Sequence, residues 1–185
     1  MTLSWPNHPI TLEEWEALPE DSEYDLEVAE GMLVMSPGPL SWHQKAGMRL
    51  GTRFDDQLPR EFTGLTDVEV VIAYDPLTIR APHVIVTRTE LFETDPPRYP
   101  VADVLLAVEI LSTGTRRVDR ILKFSEYAEA GIPQYWIVDV DEPASVLAYV
   151  LVNGTYELSG EHTGSVALDV AGHPVVIDLP ALTRR

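Results

Sequence analysis

Seven consecutive residues, Val104-Leu-Leu-Ala-Val-Glu-Ile110, constrain the fold of this chain more than any other segment. Six of them are apolar and the run is short, which is the pattern of a strand covered on both faces at the centre of a sheet. Gln134–Val140 repeats the pattern. Between the two, residues 116–130 predict a helix that carries Val118, Ile121, Leu122, Tyr127 and Ala128 toward the core. Gly131 is placed to end that helix, and Pro133 follows it.

The flanking sequence supplies further layers. Thr11-Leu-Glu-Glu14 has the form of a capping box, with Trp15 and Leu18 on one face, and predicts a short helix over 11–18. Tyr24–Val28 and Met32–Met35 flank Ala-Glu-Gly and read as two strands around a tight turn. Ser41-Trp-His-Gln44 has a second capping-box form, and Ala46, Leu50, Phe54 and Leu58 recur every four residues, so an amphipathic helix is expected over 42–58. Asp67–Tyr74, Ile79 and His83–Thr87 read as extended segments. Ser145–Leu151 and Thr155–Leu158 flank Asn153-Gly154, a strong hairpin signal, and residues 165–178 offer one or two more strands. The expectation is one α/β (α+β) domain over residues 1–185, a mixed central sheet flanked by helices with extra C-terminal hairpins.

Composition narrows the chemistry. Without a single cysteine, the chain has no disulfide, no thiolate zinc site and no cysteine nucleophile. The first residues lack a basic region followed by an apolar one, and no run of about 18 apolar residues occurs, so neither a signal peptide nor a membrane span is expected, and the expected location is the cytoplasm. No Gly-rich phosphate loop, GxSxG elbow or HExxH is present. The formal net charge of −17 opposes general attraction to nucleic acid, which favours a basic face. Local basic patches remain in Arg116, Arg117, Arg120 and Lys123, and in His43, Lys45, Arg49 and Arg53.

Glu109 is the residue that asks for an explanation. An ionised carboxylate inside an apolar strand is costly unless it is paired or holds a metal. It is either a ligand at the end of a core strand or the point where the strand emerges into solvent. Lys123, in the following helix, either serves that carboxylate and a phosphate or pairs with Asp119 one turn earlier. Glu27 stands between Asp25 and Glu30, where spacing alone does not separate a solvated edge from a site. His43 and Lys45, at a helix start, have a place from which to hold a phosphate, although such a histidine is more often an exposed neighbour of the cap.

Taken in order, these segments resemble the Uma-type family of restriction endonucleases, a branch of the PD-(D/E)xK nuclease superfamily. The resemblance runs over roughly residues 11–140 and rests on Leu26-Glu27-Val-Ala-Glu-Gly31 with Leu33-Val-Met-Ser-Pro37, His43-Gln44, Pro82-His83-Val-Ile-Val86, Val108-Glu109-Ile-Leu-Ser112, Arg117-Val-Asp-Arg120-Ile-Leu-Lys123 with Tyr127-Ala-Glu-Ala-Gly131, and Gln134-Tyr-Trp-Ile-Val-Asp139. Gly114 and Thr115 depart from the family's wording.

The resemblance implies a restriction-endonuclease-like core and metal-dependent hydrolysis of DNA phosphodiesters. It implies Glu109, Lys123 and Glu27 as catalytic residues, and Glu109, Glu27 and position 83 as ligands of a divalent ion, Mg2+ or Mn2+. His43, Arg117 and Arg120 would then contact substrate. The lysine comes from the next helix rather than two residues after Glu109, where Leu111 stands. His83 is the departure, because the family writes aspartate there. An imidazole brings nitrogen and no negative charge, and so suits softer ions better than magnesium. Two outcomes are consistent with it: a weakened or softer-metal nuclease, or a catalytically inactive nuclease fold serving as a binding or regulatory module. Homodimerisation through the edges of residues 145–158 is a further expectation. A small-molecule hydrolase has no supporting motif.

Overall fold

The structure, a computed structural model, describes residues 7–18, 24–38, 40–111 and 122–184. Its centre is a six-stranded mixed sheet in the order β11-β10-β9-β8-β6-β3, formed by β3 (Phe62–Thr66), β6 (Val84–Arg88), β8 (Leu106–Leu111), β9 (Gln134–Asp139), β10 (Ser145–Val152) and β11 (Thr155–Thr163). Strands β8 and β9 run parallel, and the other neighbours are antiparallel. A second sheet of five strands has the order β2-β1-β5-β4-β7, with β1 (Tyr24–Ala29), β2 (Met32–Pro37), β4 (Val70–Tyr74), β5 (Leu77–Arg80) and β7 (Tyr99–Pro100). Strands β12 (Ser165–Val170) and β13 (His173–Asp178) form a separate hairpin.

The apolar run becomes β8, and all six of its residues are buried. Strand alternation divides them between two cores. Leu106, Val108 and Ile110 pack with Ala46, Leu50 and Phe54 of helix α2 (Ser41–Gln57) and with Trp136. Ala107 and Leu111 pack on the other side with Tyr127, Ala128 and Tyr135. Tyr127 and Ala128 belong to a short helix (Phe124–Glu129) that lies beyond α1 (Leu12–Glu16) and α3 (Thr89–Phe92) in the chain and is therefore α4. Glu109 shares the parity of Ala107 and Leu111, so alternation aims its carboxylate at α4.

Most expected elements are present where the sequence put them, and the capping box of Thr11 and Glu14 is formed in both directions. At Asn153-Gly154 both residues take positive φ, 50° and 80°, as the two-residue hairpin turn requires. Four expectations are corrected. No side chain caps α2, whose N-cap is Leu40, so Ser41-Trp-His-Gln44 is not a capping box. The strand expected from Asp67 begins only at Val70, because Asp67 turns the chain with φ of 53°. Leu122 is 54% exposed rather than packed in the core. The early part of the helix expected over 116–130, including Val118 and Ile121, lies outside the described residues. As for pairing between chains, β10 is flanked by β9 and β11 of its own chain, which leaves only β11 as an edge.

Strand β3 was not anticipated. It is short, and at its middle Gly64 lets α2 approach: a Cβ there would sit 2.8 Å from the carbonyl oxygen of Gly51. The glycine that breaks the sequence pattern is the one that the helix–sheet contact needs.

Candidate active site

Glu109 does not emerge into solvent. It is wholly buried, and its partners come from α4 and from the turn before β6. Lys123 Nζ, at the position that opens α4, donates to Glu109 Oε1 at 2.9 Å. One helical turn later the Tyr127 hydroxyl donates to the same oxygen at 2.9 Å. Lys123 also reaches Glu27 Oε1 of β1 at 3.0 Å. The Glu27 carboxylate accepts the Ala81 backbone N–H at 3.0 Å and an Arg80 guanidinium N–H at 3.0 Å. Arg80, 1% exposed, then grips Glu126 of α4 with two hydrogen bonds of 2.7 and 2.6 Å. Three carboxylates and two permanent cations are thus interlocked, with His83 against the free end of Glu109.

These contacts set the charge states. Burial pushes the Glu109 carboxyl up, but Lys123 and then His83 outweigh it and hold it down at about 2. The Tyr127 hydroxyl is raised well above its ordinary value, first by burial and then by the charges of Glu109 and Glu27, so it remains a donor. Arg80 is desolvated, yet Glu126 and Glu27 more than compensate, and its guanidinium is the more firmly charged for it.

Two histidines finish the end of β8. Pairing between β6 and β8 stops at Val84 and Val108, which leaves the Ile110 backbone without a strand partner on that side. The Ile110 N–H points to His83 Nδ1 at 3.3 Å, and His43 Nε2 hydrogen-bonds the Ile110 carbonyl. As the acceptor of that N–H, His83 Nδ1 has no proton to offer Glu109, whose Oε2 lies directly against it. Oε2 is buried and makes no hydrogen bond among the described residues. Two electron-rich atoms therefore confront each other at the floor of the site. Around His83 stand two further acids, Asp25 and Asp67, both held above the ordinary aspartate range, first by desolvation and against the opposing effect of His83.

Glu27, His83, Glu109 and Lys123 thus come together, as the motif implied. His43 does not behave as a substrate contact: it is 5% exposed, its ring lies 4.2 Å from that of His83, and its place is under the end of β8. Desolvation, and then the charge of His83, lower its pKa to about 4 despite the Ile110 hydrogen bond. Because the folded value lies below the unfolded value of about 6.5, this contribution to stability is complete above that pH and is lost as pH falls toward 4, roughly 3 kcal/mol in all. A His43→Gln variant, which keeps a donor for Ile110, is expected to flatten the loss of stability between pH 7 and pH 4 in urea titrations. Unchanged slopes would show that His43 is not the titrating group.

Arg117 and Arg120 lie outside the described residues. Lys45 and Arg53 are exposed on α2, whereas Arg49 is spent on the Arg184 carbonyl at 2.6 Å and on the Ala181 carbonyl. A concavity between α2 and the C-terminal turn, lined in part by Met48, Arg53 and Ile177, contains none of the clustered residues. Arg80, Glu126 and Tyr127 were missed in the sequence. The signal for Arg80 was present, since it is a charge closing the apolar strand Leu77-Thr-Ile-Arg80. Tyr127 reads as core from its spacing, and only its hydroxyl reaches the site.

No curated protein matches the chain. Among solved structures it is similar to one described as "a putative nuclease belonging to DUF820" from Anabaena variabilis ATCC 29413, with a TM-score of 0.69, 19% identity, and coverage of 95% of this chain and 98% of that one. At that identity the likeness speaks for the fold, which is restriction-endonuclease-like. The family profile of Uma2, described as "Putative restriction endonuclease", matches residues 12–180. With that match spanning nearly its whole length, and with the motif's acids and lysine drawn into one cluster, the chain belongs to the Uma2 family.

Proposed function

We propose that this protein is a metal-dependent endonuclease that hydrolyses DNA phosphodiesters, with Glu109 and His83 as the protein ligands of the ion and Lys123 and Glu27 beside them. The observation that carries the proposal is the contact between Glu109 Oε2 and His83 Nδ1, two acceptors brought together in a buried place. A proton can bridge them, and so can a divalent cation. The formal charge of the cluster, one negative in excess with His83 neutral, favours either.

Among the described residues no three histidine, aspartate or glutamate side chains form a ready-made cage. The donor set therefore fits an ion held by two protein ligands with water and substrate oxygens completing its shell, the habit of Mg2+ and Mn2+ at phosphoryl-transfer sites. The nitrogen of His83 shifts the preference toward Mn2+.

A bound divalent ion would supply Lewis acidity toward the phosphoryl oxygen and make a neighbouring water more acidic. The rest is the work of this chain. Lys123 Nζ, fixed between Glu27 and Glu109, presents positive charge where negative charge develops on phosphate. Arg80 and the Ala81 N–H immobilise Glu27, and Tyr127 immobilises Glu109, so neither carboxylate must reorganise. Lys45 and Arg53, exposed on α2, are available to phosphates.

One observation favours the competing reading, a nuclease fold kept as a binding module: the net charge of −17. Metal-stripped protein incubated with supercoiled plasmid decides between them. Nicking that requires Mn2+ or Mg2+ and stops with chelator is the expected result. Intact plasmid across both ions and a range of salt would leave the binding-module reading in its place.

A further inference from the structure

The residue at position 83 costs this site a carboxylate, and the strand register brings another to the same place. Strands β3 and β6 pair antiparallel up to Thr66 and Val84. One further step of that register sets Asp67 opposite His83. Residues directly opposed in an antiparallel pair lie within side-chain reach of each other. Asp25 approaches from the other sheet, because the pairing of Val28 with Ile79 runs down to the turn that holds His83.

The two acids are not equivalent. Asp25 interacts with Glu27 and Lys123 as well as with His83, so a cation already stands beside it. Asp67 interacts with His83, Asp25 and Glu109 and has no such cation among its partners. It therefore faces the edge where the buried Glu109 Oε2 lacks a hydrogen bond.

We infer that Asp67 is the carboxylate that completes the divalent-cation site at Glu109 and His83, acting on the ion through its water shell and supplying the negative charge that a histidine at 83 cannot. This rests on the metal-dependent reading above. Water-mediated contact suits an ion of this kind, which gives up its waters reluctantly. It also agrees with the absence of a ready-made three-residue cage among the described residues.

The test is calorimetric titration of Mn2+ into metal-stripped protein, read alongside the Mn2+ spin-resonance spectrum. Asp67→Asn is isosteric, and asparagine tolerates the left-handed backbone at this position, so the variant is expected to fold. Asp67→Asn is expected to weaken Mn2+ by about tenfold or more, in the range for groups that act through a ligand shell. Adding His83→Asp to Asp67→Asn is expected to restore binding. Wild-type affinity in Asp67→Asn, with binding lost in Glu109→Gln, would overturn the role of Asp67 and leave the metal site standing. Absence of Mn2+ binding by the wild type would overturn both.

Discussion

Replacing Arg80 by methionine is expected to lower the unfolding free energy by about 3–5 kcal/mol, the usual result of removing one member of a buried ion network. For a chain of this size that corresponds to a fall of roughly 6–20 °C in melting temperature. The reason lies in what the guanidinium leaves behind. Glu27 loses one of its two cations, and Glu126 loses both of its hydrogen bonds to Arg80. Methionine matches the length of the stem but answers neither carboxylate. Adding Glu126→Gln to Arg80→Met is expected to recover part of the loss, since a neutral amide is less costly to leave unpaired. A loss under 1 kcal/mol in chemical denaturation would show that the network is solvated and that Arg80 does not hold it together.

The second large effect concerns activity. Glu109→Gln is expected to reduce the rate of metal-dependent plasmid nicking by roughly 10³-fold, because several kcal/mol of stabilisation by the ion depend on its charge. Glutamine preserves the shape of the side chain and can still accept from Tyr127 and Lys123 through its carbonyl oxygen, so the fold should persist, as circular dichroism in the aromatic region can verify. What the amide cannot do is present an anion against His83. Raising Mn2+ should recover little of the rate. A variant within tenfold of wild type would remove Glu109 from the chemistry and reduce it to a structural member of the cluster.

Glu109 and Lys123 were legible in the sequence for a plain reason: a charge inside an apolar strand must be answered, and the next helix carried a lysine. Glu27 became legible only through the motif, because three acids within six residues give no periodicity to choose between them. Arg80 obeyed the same logic as Glu109 and was still missed, because its strand is four residues long and reads as a fragment. The link between Glu27 and Arg80, 53 positions apart, is a matter of strand register, which pattern alone does not specify. Strand β3 escaped for the opposite reason, since its central glycine serves the approach of a helix rather than the strand itself. At His43 the sequence suggested surface chemistry, and the fold used the ring to finish a strand end.

The cluster also joins parts that the backbone ladders leave separate. Glu27 and Arg80 ride on the five-stranded sheet, Glu109 on the six-stranded one, and Lys123, Glu126 and Tyr127 on α4. The acting groups are therefore mounted on three bodies, and their alignment lasts only while those bodies stay together. Such an assembly opens in pieces, as native-state amide exchange detects in other proteins. Here the β1–β2 hairpin, at the outer edge of its sheet, should exchange through a partial opening that dismantles the site while β8 and β9 remain protected. Binding of an ion between Glu109 and His83 leaves that opening unhindered unless Glu27 also feels the ion. Exchange rates in β1, with and without Mn2+, would thus report whether the two halves of the site act as one.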